Sequence, residues 1–140
     1  MSRLAAMLFA ALLGTVDDSV AQQKIEARGI ASSVKMEEVV YGHLAELNGK
    51  YKFRVTEVTF EPGAHLGAHH HAGPGIRYVA SGTLTFSQAG KDITYKAGDY
   101  FYESGNVVHT AHNKTKQPVR VIFFEILPVQ WASPSVIPPQ

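Results

Sequence analysis

Three histidines define the chemistry open to this chain: His69 and His71, two positions apart, and His109 about forty residues later. Side chains two apart on a β-strand point to the same face, with their α-carbons roughly 6.5–7 Å apart. Two imidazoles so placed can lean onto one metal ion, each nitrogen about 2.0–2.1 Å from it. His109, arriving on a distant strand, would complete a facial three-point grip with coordination positions left open. Around these residues stands a frame of turn-formers: Gly63, Gly75, Gly82, Gly98 and, after His109, Asn113.

The other polar residues near this frame are read one by one. His70 lies between two inward ligands and should face outward. His65 shares parity with His69 and His71, so it could line the pocket and meet substrate. It is about 13 Å from His69 along an extended strand, too far to share the metal. His112 has the opposite parity to His109 and is expected on the surface; His43 has no visible partner. Glu103, six residues before His109 and of the same parity, could hydrogen-bond a ligand histidine or act as a general base. It could equally be a strand-end carboxylate facing solvent. Arg77 would be costly in an apolar cavity without an anion, so it either anchors a substrate carboxylate or pairs with Glu103 or Glu125. Tyr78, Tyr100, Phe101, Tyr102, Phe123 and Phe124 read as core residues.

Composition limits the alternatives. The chain has 140 residues, 45% of them hydrophobic and 18% charged, which suits one globular domain. A net charge of +1 favours neither nucleic acid nor an anionic membrane as partner. There is no cysteine, which rules out disulfide scaffolds, thiol nucleophiles and thiolate zinc sites. Residues 1–21 read as a cleavable signal peptide. Arg3 is followed by an apolar run from Leu4 to Val16, then by the small-x-small pattern Ser19-Val20-Ala21. That run is shorter than the roughly 20 residues a membrane span needs. The expected product is periplasmic or secreted, begins near Gln22 and keeps no membrane anchor.

The elements that must position the histidines are strands. Val34 to Tyr41 and Tyr51 to Glu61 are rich in β-branched and aromatic residues, with turn signals at Asn48-Gly49 and Pro62-Gly63. Shorter runs follow at Tyr78–Ala80, Thr83–Ser87, Asp92–Lys96, Tyr100–Glu103 and Val107–Asn113. Val119 to Leu127 is nearly continuous in apolar character, which predicts a central strand covered on both faces. Short strands with turns every 8–12 residues or so indicate an all-β sandwich or barrel. The predicted organisation is a barrel over residues 22–131, with a Pro/Ser-rich tail or strap over 132–140.

The motifs resemble those of a small single-domain cupin of exported bacterial type. The family's first motif is matched by Gly63, His69, His71 and Gly82, with Gly75 where a glutamate belongs. Its second is matched by Gly98, His109 and Asn113, with Ser104 and Asn106 in place of a proline and a glycine. Fifteen residues separate Gly82 from Gly98, as in the shortest members. Serine and asparagine still suit a turn. The loss of the glutamate at Gly75 removes the anionic ligand and leaves a three-histidine set, similar to that of some cupin dioxygenases that bind iron through three histidines.

The resemblance implies a double-stranded β-helix, or jelly-roll, barrel holding a divalent transition metal on His69, His71 and His109. Gly75 and Asn113 would play supporting structural roles. Iron(II) is favoured if the protein is an oxygenase, while imidazoles also accept zinc, nickel, copper or manganese. A divalent ion on three neutral ligands keeps its full charge and would favour a small polar or anionic compound. Two readings stay open: a dioxygenase-like metal enzyme, or a non-catalytic module that binds or senses a metal or small molecule. A homodimer is expected, since small cupins commonly pair and both ends of the barrel segment carry apolar runs. Substrate, reaction and pathway do not follow from the residues.

Overall fold

The computed structural model describes residues 24–139; the predicted leader lies outside them. Every regular element described is a strand: β1 (Ala27–Val39), β2 (Tyr51–His71), β3 (Gly75–Ser81), β4 (Thr83–Gln88), β5 (Lys91–Lys96), β6 (Tyr100–Glu103), β7 (His109–His112), β8 (Val119–Pro128) and β9 (Val136–Ile137). Hydrogen-bonded neighbours run in the order β5-β4-β7-β2-β8-β3-β6, with β1 and β9 added alongside β2. The result is a nearly closed antiparallel barrel, as the strand pattern predicts.

β2 is the spine of this arrangement. Its first half pairs with β8 (Tyr51↔Pro128 to Phe60↔Val119), and its second half pairs with β7 (His65↔His112 to His69↔His109). It turns the corner at Pro62-Gly63, where Gly63 takes a φ of 75° that other residues reach only with strain. Asn113 pins this corner. Its side-chain nitrogen donates to the carbonyls of Phe60, Glu61 and Gln117, and its oxygen accepts from the Thr115 amide and hydroxyl. The expected supporting role of Asn113 is thus a knot tying the β2 corner to the β7–β8 loop.

Alternation along the strands builds the core. Val58, Phe60, Val79, Leu84, Phe86, Val119 and Val121 point inward and are buried. Each such side chain contributes on the order of 1.5–3 kcal/mol. β8 departs from expectation: it is central, but only its inner face is covered. Val121 is fully buried, whereas Phe124 is 43% exposed. Register places Met36, Val55, Phe124, Ile76 and Tyr102 side by side across five strands on the outer face. The apolar run in β8 therefore serves two surfaces, one internal and one external.

The segment after residue 131 closes the barrel as a strap. Val136 and Ile137 pair with His71 and His70, and Arg54 grips the carbonyls of Trp131 and Ser133 at 3.0 and 2.8 Å. In the Ser104–Asn106 turn the left-handed residue is Gly105 (φ 92°), not Asn106. A Cβ at Gly105 would stand 2.7 Å from the Gly73 carbonyl, so this loop needs glycine for close approach as well as for φ.

Candidate metal centre

His69 and His71 on β2 and His109 on β7 converge inside the barrel, and each is at most 5% exposed. One ring nitrogen from each lies within 4.8 Å of the others, a spacing that could hold a metal ion. The rings pack at centroid distances of 4.2 Å (His69–His109), 5.2 Å (His69–His71) and 5.4 Å (His71–His109).

The backbone orients the rings. Nδ1 of His69 lies 2.7 Å from the Gly67 carbonyl, and Nδ1 of His109 lies 3.0 Å from the Val107 carbonyl. A carbonyl only accepts, so each Nδ1 must carry a proton, and in the neutral ring that leaves Nε2 with a lone pair. His71 Nδ1 faces the Ser135 hydroxyl at 3.3 Å and Glu125 Oε1 at 3.2 Å. Such outer contacts fix the tautomer and aim of ligating histidines. Burial and the charge of His109 pull the pKa of His69 down to about 3, which keeps this ring neutral at physiological pH.

A β-bulge sets the ring positions. Between Leu66↔Ala111 and His69↔His109, β2 spends three steps where β7 spends two. Leu66 and His69 therefore both face inward, and Gly67 sits at the irregularity, its amide bonded to the Glu26 carbonyl. This corrects the expectation for His65. Continuous alternation would put it on the ligand face, but the bulge reverses parity. His65 instead meets His112 edge-on at 5.5 Å, away from the cluster.

Next to the rings lies a buried charge network. Glu103 on β6 places Oε1 3.1 Å from His109 Nε2 and Oε2 3.3 Å from His71 Nε2. Arg77 on β3, fully buried, joins Glu103 Oε2 at 2.5 Å and Glu125 Oε1 at 3.1 Å through one nitrogen, Nη2. The guanidinium stacks 4.3 Å above the Phe123 ring. Burial opposes ionisation of Glu103, but the His109 hydrogen bond and the charges of Arg77 and His71 prevail and hold its pKa at about 2. Glu125 is lowered likewise, with burial outweighed by its contacts to His71, Arg77 and Ser135.

The alternatives for these two residues are thus separated: Glu103 is a buried partner of two histidines, and Arg77 is the partner of both carboxylates. Arg77 stands behind Glu103 rather than on the cavity wall, so it is not placed to anchor a substrate. The open side of the centre is a cavity of about 200 Å³, floored by Glu103 and His109 and walled by Gln88, Tyr102, Ser104 and Val107. A larger, mainly apolar cavity of about 480 Å³ lies between β1, β2, Phe123 of β8 and the strap.

Gly75 lies between the two carboxylates in register, opposite Glu103 on one side and Glu125 on the other. It does not adopt positive φ. A Cβ there would collide with Arg77 Nη1 and stand 2.5 Å from the Phe124 carbonyl. The arginine occupies the space a side chain at 75 would need. Glu125 has a readable signal, being the one acidic residue in an apolar strand and of the same parity as Val119 and Val121. Ser135 had none, because nothing local says that a Pro/Ser-rich segment folds back onto β2.

Residues 56–125 match the family model described as a cupin domain. The chain belongs to the cupin family. Among solved structures, the polyketide cyclase RemF from Streptomyces resistomycificus is similar at 16% identity and a TM-score of 0.61, covering 81% of this chain and 73% of that one. KdgF from Halomonas sp. is similar at 18% identity and a TM-score of 0.54, covering 71% and 84%. A conserved protein with a double-stranded β-helix domain from Klebsiella pneumoniae matches at 21% identity and a TM-score of 0.55, covering 79% and 85%. No curated protein sequence matches the chain. At these identities the likeness establishes the double-stranded β-helix of a cupin and leaves activity to the site.

Proposed function

We propose that this cupin is an exported metal-dependent enzyme of dioxygenase type that acts on a small polar or anionic compound. The observation that carries the reading is the convergence of three buried imidazoles beside a cavity of about 200 Å³ into which Gln88, Glu103 and Ser104 bring polar groups. That volume suits a compact ligand. Bound on His69, His71 and His109, a divalent ion supplies Lewis acidity and, if it is iron(II), redox chemistry. The chain's own contribution is orientation, through the Nδ1 contacts of the three rings, and exclusion of water by Phe86, stacked 4.6 Å from His109.

The leader pattern of residues 1–21 supports export to the periplasm or beyond, where the metal met by the folded protein is set by that compartment. The exposed apolar row across β1, β2, β8, β3 and β6 supports a homodimer. Protein purified without a histidine tag under anaerobic conditions should contain about one iron per chain. It should consume oxygen when given enolisable ketones, hydroxy-ketones or small carboxylates. A protein that binds metal and such ligands, with stabilisation but without turnover, would be the binding or sensing module instead.

A further inference from the structure

We propose that Glu103 is a fourth, anionic metal ligand, supplied from β6 across the sheet from the position where the cupin motif carries its glutamate. The inference rests on the three-histidine reading of the centre and adds a residue to it. The first argument is one of donors and acceptors. His109 Nδ1 donates to the Val107 carbonyl, so His109 Nε2 presents a lone pair, 3.1 Å from a carboxylate oxygen. Two acceptors at that separation need a cation between them: the proton of the His109–Glu103 hydrogen bond in the metal-free site, or a metal ion in its place.

The second argument is the spacing. Two ligand atoms, each about 2.0–2.2 Å from one metal and about 90–110° apart, lie roughly 2.9–3.5 Å from each other. The Glu103 oxygens stand 3.1 Å from His109 Nε2 and 3.3 Å from His71 Nε2, within that span for both rings. The third is the setting of Gly75. It is the cross-strand partner of Glu103, and Arg77 fills the space where its side chain would go. Arg77 Nη2 in turn clamps Glu103 Oε2. β3 thus supplies a cation, Arg77, that steadies the carboxylate of its neighbour β6. The centre then takes a divalent transition metal on three neutral ligands and one anionic ligand.

Cobalt(II) titration tests this, because its visible bands report the donor set directly. Wild-type protein should bind one cobalt per chain, and His109→Ala should lose that binding. Glu103→Gln keeps size but exchanges the carboxylate for a weak amide donor. It should bind cobalt at least tenfold more weakly, with shifted bands. His112→Ala, on β7 but packed against His65 away from the cluster, should leave affinity and bands in place. If Glu103→Gln fails to fold, as judged by the melting of the metal-free proteins, Glu103→Asp keeps the charge for Arg77 and withdraws the oxygens by one methylene. Its bands should shift as well. Bands of either folded variant that superimpose on those of wild type overturn the proposal while leaving the three-histidine centre standing. A wild-type chain that binds no cobalt overturns both.

Discussion

Each histidine in the centre is held through its Nδ1: by a carbonyl two residues upstream for His69 and His109, and by the Ser135 hydroxyl and Glu125 for His71. Removing a ring should therefore remove metal rather than fold. His69→Ala, His71→Ala and His109→Ala should each lower metal content and the metal-dependent rise in melting temperature together. At a metal concentration 100 times the dissociation constant, that rise corresponds to about 2.7 kcal/mol. His70→Ala and His112→Ala should change neither, and metal analysis with melting in parallel would show it. Arg77→Ala should act on the fold itself. It strands Glu103 and Glu125 in the interior, at a cost of about 3–5 kcal/mol readable in denaturant melts.

Acid should act on the same residues. His69 titrates at about 3 in the fold against an ordinary 6.5, so the unfolded chain binds the proton first. Its contribution to stability is complete above about pH 6.5 and declines as the pH falls from there towards 3. Glu103, at about 2 against an ordinary 4.5, contributes fully above about pH 4.5 and loses that contribution as the pH falls through 2. Melting of metal-free protein between pH 8 and pH 4 should thus show stability falling on the acid side of 6.5. A flat profile would contradict the burial of His69.

At the scale of elements, the strands and most turns were legible because alternation and Gly or Asn turns are local signals. So was the clustering of His69 and His71, because their two-residue spacing lies within one straight piece of β2, while His109 on β7 was read from the second motif. What was not legible was the interruption. The bulge at Gly67 involves an extra residue that alternation cannot show, and it turned His65 away from the pocket. The sequence left a tail and a strap open for 132–140, since the pairing to His70 and His71 depends on contacts more than sixty residues away in sequence. Gly75 illustrates a third limit. Its motif position was readable, but the arginine filling its side-chain space was not. Gly75→Glu, which from sequence promises an added ligand, should instead destabilise the barrel, because the Phe124 carbonyl stands 2.5 Å from the new Cβ. Gly75→Ala should already lower the melting temperature of the metal-free protein.

Across the whole molecule, one outer face of the barrel carries an exposed apolar row. The row Met36, Val55, Phe124, Ile76 and Tyr102 crosses five strands, and Phe124, Ile76 and Tyr102 are 43%, 42% and 65% exposed. Isolated apolar residues on a surface are ordinary, whereas a contiguous row across a sheet is what two copies bury against each other. Light scattering at micromolar concentration should give the mass of a dimer. Phe124→Lys or Ile76→Lys should give a monomer with its metal content retained. A monomeric wild-type chain would show that the row has another use.

The chain's single tryptophan sits where the strap begins. Trp131 donates through Nε1 to the Pro134 carbonyl, and its own carbonyl is held by Arg54. Four residues on, Ser135 touches His71 and Glu125. The protein thus carries its own lamp at the start of the segment that backs the histidine cluster. Tryptophan emission reports the strap, while tyrosine signals on β5, β6 and β3 report the barrel. The two colours can be followed separately in one cuvette as denaturant or chelator is added.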